Sequence, residues 1–424
     1  MSHERHLKRK LRRALIGLAA GVCLLAAGTV TAQDGGSTAM REKVYDKLSK
    51  AQEATENKAW DKAFDYLGDV ERMRDLDPHE KAQLYTAYGY TYFAQEKYAE
   101  ATEAYEMVLQ QDEIPEGLRA NTLYTLGQLH FHLDHYAEAA GHLENWLRTT
   151  SDPSPDAYVL LGQAYYQMDR PADAAAEIRK AIAEALERGM PVKESWYALL
   201  RVIYFELGEF ENLLDVLKTL VTEYPKKEYW VHLSSAYGEM GDATRQLAAY
   251  EMAHVQGYLT TGPELVLLSQ LLMQAGDPYR AGVNLERALQ GGAAESTASN
   301  WRLLSQAWTL SQEHEKAIVA LKKAAELSVD GELDARIAQS HANLGQWEEA
   351  AVAARKALDR GVDSPHELQI LIGMSFFELR RYEDAKSAFA EAQHDPEGRA
   401  TATRWLAYVE REQGRMQELG LDSN

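Results

Sequence analysis

The stretch Leu129–Tyr136 reads LHFHLDHY, and His142 follows six residues later. Four imidazoles this close could ligate a transition metal, which favours nitrogen and sulfur donors at fixed spacing. Two histidines share a helix face when they are four residues apart. His130 and His132 are two apart, roughly 200° around a helix, so they face away from each other. His135 falls in a polar turn and His142 on the helix after it. The single cysteine, Cys23, is far off in sequence. No metal site and no cofactor is expected from this set. Acidic neighbours such as Glu348-Glu349 and Glu383-Asp384 could in principle serve acid–base hydrolysis, but they sit in solvated turns of a chain rich in acids. The chain reads as a non-enzyme.

The N-terminus has a separate logic. Six basic residues between Arg5 and Arg13 precede the apolar run ALIGLAAGVCLLAAGTV, and Val30 and Ala32 are the small pair before a cut. This is the pattern of a secretory signal peptide over residues 1–32, cleaved after Ala32, with a short linker over 33–40. Val22 before Cys23 argues against lipid attachment, and Sec export fits better than a twin-arginine route through Arg12-Arg13. The expected compartment is the periplasm, with contact to membrane only through partners or an uncleaved anchor. Six of the 45 Lys/Arg and one of the 65 Asp/Glu lie in this segment, leaving 39 basic and 64 acidic side chains and a formal charge of −25. Such a surface repels nucleic acid and anionic lipid and favours cationic partners.

The body of the chain repeats itself. GYTYFAQEKYAEATEAYEMVL (89–109), GQLHFHLDHYAEAAGHLENWL (127–147), GQAYYQMDRPADAAAEIRKAI (162–182) and GMSFFELRRYEDAKSAFAEAQ (373–393) share one pattern, with a weaker copy at 338–358. Each has an apolar helix, a polar turn, then a helix opening near a small residue. That position falls at Ala63, Ala101, Ala139, Ala174, Leu213, Gln246, Ala281, Ala317, Ala350 and Ala385, in steps of 33 to 39 residues. This period and the W…L-G…Y…A…F pattern resemble the tetratricopeptide (TPR) repeat. The expected fold is all-α: a right-handed TPR α-solenoid of ten helix pairs over residues 41–399, with a capping helix and tail over 400–424. Gly89, Gly127, Gly162 and Gly373 let paired helices approach, and neighbouring repeats bury each other's apolar faces. Ala402, Leu406 and Val409 form the inner stripe of the cap. His130 takes the place that other repeats fill with Tyr, so the histidine cluster reads as a worn repeat.

In this architecture the first helix of each pair lines the inner face of the array. With the consensus Trp as position four, position nine carries Tyr90, Gln128, Gln163, Gln270, Gln306 and Gln339. Position twelve carries Phe93, Phe131, Tyr166, Phe205 and Phe377. Glutamine both donates and accepts, which suits an extended backbone, and aromatic rows suit Pro-rich segments. The aromatics could equally pack against a neighbouring repeat. Inward ionisable groups are mostly acidic: Asp156, Glu206, Glu228, Glu239, Glu332, Glu367 and Glu378, against Arg302 and His132. The expected site is a peptide groove with Glu206, Glu239 and Glu378 as its acids, for an extended cationic or Pro-rich partner.

Finer likeness lies in PEGLRANTLYTLGQL (115–129), SPDAYVLLGQAYYQ (154–167), PVKESWYALLRVIYFELGEF (191–210), YPKKEYWVHLSSAYGEMGD (224–242) and QAWTLSQEHEKAI (306–318). Over about residues 40–415 the chain resembles exported TPR proteins of Gram-negative bacteria encoded beside TonB, ExbB and ExbD. That resemblance implies an accessory role in TonB-dependent transport, with periplasmic segments of TonB or ExbD as partners and no catalytic residues. The alternative is a TPR factor for outer-membrane or cell-envelope assembly.

Overall fold

The computed structural model describes residues 40–328 and 331–419. The expected signal peptide, nearly all of the linker and the last five residues lie outside them. Among the described residues there are 21 helices and no strand, and no helix is long and apolar enough to cross a membrane. By contacts the chain divides into two compact units, one up to Leu129 and one from His130. The first holds α1 (Glu42–Glu56), α2 (Trp60–Glu71), α3 (Pro78–Ala94), α4 (Tyr98–Leu109) and most of α5 (Glu116–His132). The second begins in the last turn of α5 and continues with α6 (Tyr136–Thr149), α7 (Pro155–Gln167), α8 (Pro171–Glu187), α9 (Glu194–Leu207) and α10 (Phe210–Glu223). Next come α11 (Lys227–Glu239), α12 (Ala243–Val255), α13 (Gly262–Gln274), α14 (Pro278–Gln290), α15 (Ala298–Leu310) and α16 (His314–Glu326). The unit ends with α17 (Glu332–Asn343), α18 (Trp347–Arg360), α19 (Pro365–Glu378), α20 (Tyr382–Ala392) and α21 (Arg399–Glu418). Within each unit an odd-numbered helix packs on the even-numbered one after it, and that one on the next.

One backbone device recurs ten times. At position fifteen the chain turns left-handed: Lys58, Glu96, Asp134, Asp169, Gly208, Gly241, Gly276, Gln312, Gly345 and Arg380 all have φ between 56° and 79°. The next N–H then reaches back to the carbonyl of position eleven. Ala59 donates to Ala54, Arg170 to Tyr165, Asp277 to Leu272 and Arg381 to Phe376, and all ten such bonds measure 2.8–3.0 Å. This six-to-one bond is the Schellman closure of a helix. It satisfies a carbonyl that the helix end leaves open, and it aims the chain into the second helix.

Packing within a pair is set by size. The position-twenty residues are buried at nine of the ten sites, Ala63, Ala101, Ala139, Ala174, Ala317, Ala350 and Ala385 fully so. Position eight faces position twenty-four of the partner helix. A Cβ on Gly89 would lie 2.7 Å from the Tyr105 ring, on Gly162 2.8 Å from Ile178, and on Gly373 2.6 Å from Phe389. The tenth site, Gln246, is half-buried because Gly238 vacates position twelve opposite it: a Cβ there would meet Gln246 Nε2 at 2.7 Å. Repeat nine replaces the consensus Trp with Asp334, which is buried and accepts from Lys356 at 2.9 Å and Arg360 at 2.6 Å. Arg360 also donates to the carbonyl of Ser328, tying the end of the preceding repeat to this one.

Two stability changes follow. Gln312→Gly relieves a non-glycine left-handed residue and raises the stability of the second unit by about 0.5–1 kcal/mol, read as a higher urea midpoint; a lower midpoint would contradict the turn's role. Gly373→Val forces its side chain into Phe389 and costs about 1–3 kcal/mol. Combined with Phe389→Leu it is less destabilising than the sum of the two single changes, which a double-mutant cycle measures.

Candidate peptide-binding face

Positions nine, twelve and thirteen of each first helix share one face of that helix. In the first unit Tyr90, Phe93 and Gln128 are all half-buried. Phe93 meets Tyr98 edge-on, with centroids 5.7 Å apart.

In the second unit the same edge-on contact recurs. Phe131 packs on Tyr136 at 5.4 Å, Phe205 on Phe210 at 6.5 Å, and Phe377 on Tyr382 at 5.9 Å with a tilted ring. Position twelve therefore leans on position seventeen of its own repeat, across the left-handed turn, and this contact accounts for part of the aromatic row. Phe205 is the exception in exposure: 60% of its surface stays open. Beside it, Tyr166 donates to Glu206 Oε1 at 2.9 Å across two successive repeats. Burial, and then this bond, raise the Tyr166 hydroxyl well above the ordinary phenol range. Glu239, Glu378, Gln270, Gln306 and Gln339 are exposed, and Gln163 is half-buried.

The acids are not all open. Asp156 accepts from Lys193 at 2.5 Å, Glu194 from Lys226 at 2.6 Å, and Glu264 from Lys227, so lysine–carboxylate pairs join the starts of α7, α9, α11 and α13. The Lys227 pair, with backbone bonds at Thr260 and Thr261, outweighs burial and holds Glu264 down at about 2. The open negative charge of this face is thus carried by Glu206, Glu228, Glu239, Glu367 and Glu378, which are exposed.

Three features escaped the sequence reading. The first is an aromatic corner where α21 meets α19 and α20. Trp405 stacks on buried Phe389 at 5.4 Å and 7°, Phe377 approaches Tyr408 at 5.2 Å, and Trp405 meets Tyr408 edge-on. A cavity of about 300 Å³ opens there, lined by Thr401, Arg404, Trp405 and Tyr408. The expected inner stripe is present, with Ala402 and Val409 fully buried, but the cap also presents these rings. Its signal was the spacing of Trp405 and Tyr408, one helical turn apart. The second is Arg201, which occupies position eight, where other repeats carry Gly, Ser or Ala. It is half-buried, its Nη1 lies 3.1 Å from His232 Nδ1 in the next repeat, and burial lowers its pKa. Burial first, and then Arg201, push the His232 pKa down to about 4.

The third concerns the histidines. His130 is buried at position eleven and stacks on His142, with centroids 5.2 Å apart and planes at 13°, while the His135 ring lies 5.7 Å from it. Stacked rings show one another faces rather than lone pairs. The histidines converge more than their spacing suggested, as packing elements.

The repeat is matched by a known family profile. The tetratricopeptide repeat family profile matches residues 86–157, 124–186 and 370–418. Residues 86–186 and 370–418 carry tetratricopeptide repeats. No curated protein matches it. Among solved structures, MamA is similar at 21% identity, over 40% of this chain and 94% of its own, with a TM-score of 0.34. YrrB, described as a TPR protein with an unusual peptide-binding site, is 16% identical over 41% of this chain and 84% of its own, with a TM-score of 0.34. The TPR2AB domain of yeast Sti1, in complex with pHSP90, is 15% identical over 69% of this chain and 99% of its own, with a TM-score of 0.29.

His232 yields a pH test. Free histidine titrates near 6.5, whereas the folded chain keeps His232 neutral down to about 4. Between these values the unfolded chain binds the proton first. The stability tied to neutral His232 is therefore complete above about pH 6.5 and lost as pH falls towards 4. His232→Gln removes this component, so its urea midpoint relative to the parent rises on acidification across that window. Parallel pH profiles of the two proteins would exclude the effect.

Proposed function

We propose that this TPR array is a protein-binding scaffold of the periplasm, an accessory to TonB-dependent energy transduction that holds an extended cationic or Pro-rich segment on its first-helix face. The observation that carries the reading is the exposed Phe205 ring beside Glu206 and the Tyr166–Glu206 bond. An aromatic face flanked by carboxylates receives proline rings by stacking and lysine ammonium groups by charge. The exposed glutamines Gln270, Gln306 and Gln339 can pair with a peptide backbone in either polarity. The aromatic corner at Trp405 and Tyr408 offers a second seat. Export and the TonB connection rest on the N-terminal pattern and on the family resemblance of the sequence. YrrB and Sti1, by their descriptions, bind peptide or protein partners; a partner of that general kind is proposed for this chain.

The test is calorimetric titration of the chain with the purified periplasmic segments of the host's TonB and ExbD. Binding to the Pro- and Lys-rich spacer of TonB is expected, weakening several-fold as ionic strength rises. Phe205→Ala should weaken it by about tenfold, the loss of about 1.4 kcal/mol. Absence of binding to both segments removes the TonB reading, and the search for partners then moves to outer-membrane and envelope assembly, the alternative role.

A further inference from the structure

We propose that His366, Asp395 and Glu397 form a binding site for a zinc-class divalent cation that clips the last helix pair to α21. His366 is the second residue of α19, while Asp395 and Glu397 stand in the short turn between α20 and α21. The pair lies about thirty positions further along the sequence, so no short motif marks the site.

The geometry points to a cation in three ways. One ligand atom from each of the three side chains lies within 4.8 Å of the others, the one such His/carboxylate group among the described residues. His366 Nδ1 is 3.3 Å from Asp395 Oδ2. That is longer than the roughly 2.7–2.9 Å of a charge-assisted hydrogen bond. It is close to the donor–donor edge of a tetrahedron whose metal–ligand bonds are about 2.0–2.1 Å, and Glu397, whose ligand atom lies within 4.8 Å of the other two, would draw in to complete the set. Two carboxylates also converge on one imidazole, and a divalent cation neutralises their mutual repulsion.

The frame around the group is built to hold it. The His366 side chain is only 11% exposed and Asp395 35%, so the nitrogen approaches from the protein side, and exposed Glu397 closes from solvent. Asp395 Oδ1 accepts the Glu397 N–H at 2.8 Å, which leaves Oδ2 turned to the histidine. Gly398 lets the turn lie against the ring: a Cβ there would come within 2.9 Å of His366 Cβ and 2.6 Å of the Ala392 carbonyl. One nitrogen and two carboxylate oxygens suit Zn²⁺ and leave a fourth position for water. Mg²⁺, which keeps an octahedral oxygen shell, is a poor fit.

The experiment titrates chelator-treated full-length chain with Zn²⁺, and with Co²⁺ as an absorbing probe, following heat and thermal unfolding. Because the chain carries other histidines, the reading is the difference between parent and variant. Zn²⁺ is expected to raise the parent's unfolding temperature and Mg²⁺ to leave it unchanged. His366→Ala and Glu397→Gln should each weaken Zn²⁺ affinity at least tenfold and abolish the thermal shift. Glu397→Gln alters an exposed side chain, so its loss of binding is separable from a packing defect at His366. Zn²⁺ affinity and thermal shift unchanged in Glu397→Gln, or no Zn²⁺ binding by the parent, would overturn the proposal.

Discussion

Everything in this chain depends on a turn. A helix that stops leaves carbonyls without donors, and a buried carbonyl without a donor is costly. Here a single residue at φ near +60°, followed by the six-to-one bond, satisfies the open end and reverses the chain in a few residues. Ten copies of this unit bring a second helix back on the first at nearly the same offset each time. Six of the ten turns use residues other than glycine, from Lys58 to Arg380. The conformational cost at those sites is repaid by the packing that the turn imposes.

The turn then dictates what can stand on either side of it. Positions eight and twenty-four must share a fixed gap, so glycine faces Tyr105, Ile178 or Phe389. Where one partner grows the other shrinks, as with Gly238 and Gln246. Position twelve falls beside position seventeen, which explains why Phe93, Phe131, Phe205 and Phe377 all lean on an aromatic five residues later. The candidate binding face is what this packing leaves over. Phe205 remains open and Glu206 is anchored by Tyr166, while the lysine–carboxylate pairs neutralise part of the acid along the helix starts.

Charge and packing meet again at the C-terminal end. The aromatic corner of Phe377, Trp405 and Tyr408 and the His366–Asp395–Glu397 group both arise where α21 closes on the last pair. Among the described residues no helix follows α21, and Tyr408 and Glu397 are exposed there.

The amino-acid sequence by itself determined the helix-pair repeat. Residues such as Ala101, Ala174 and Ala317 recur at a position between paired helices that is filled by alanine in eight of ten repeats, and a period of that length can be read without coordinates. It also carried the acidic balance and the identity of the residues on the first-helix face, because a helix position dictates a direction. The structure decided what those residues touch. Whether Phe205 or Phe377 is open depends on neighbours from other helices, and whether Asp156 is a free acid depends on Lys193, 37 residues away. Arg201 in a glycine position, the stacking of His130 on His142, and the approach of Asp395 to His366 are likewise products of chain reversal. Spacing along a helix encodes faces, but contacts between helices are set by how the turns return the chain, and those distances exist only in three dimensions.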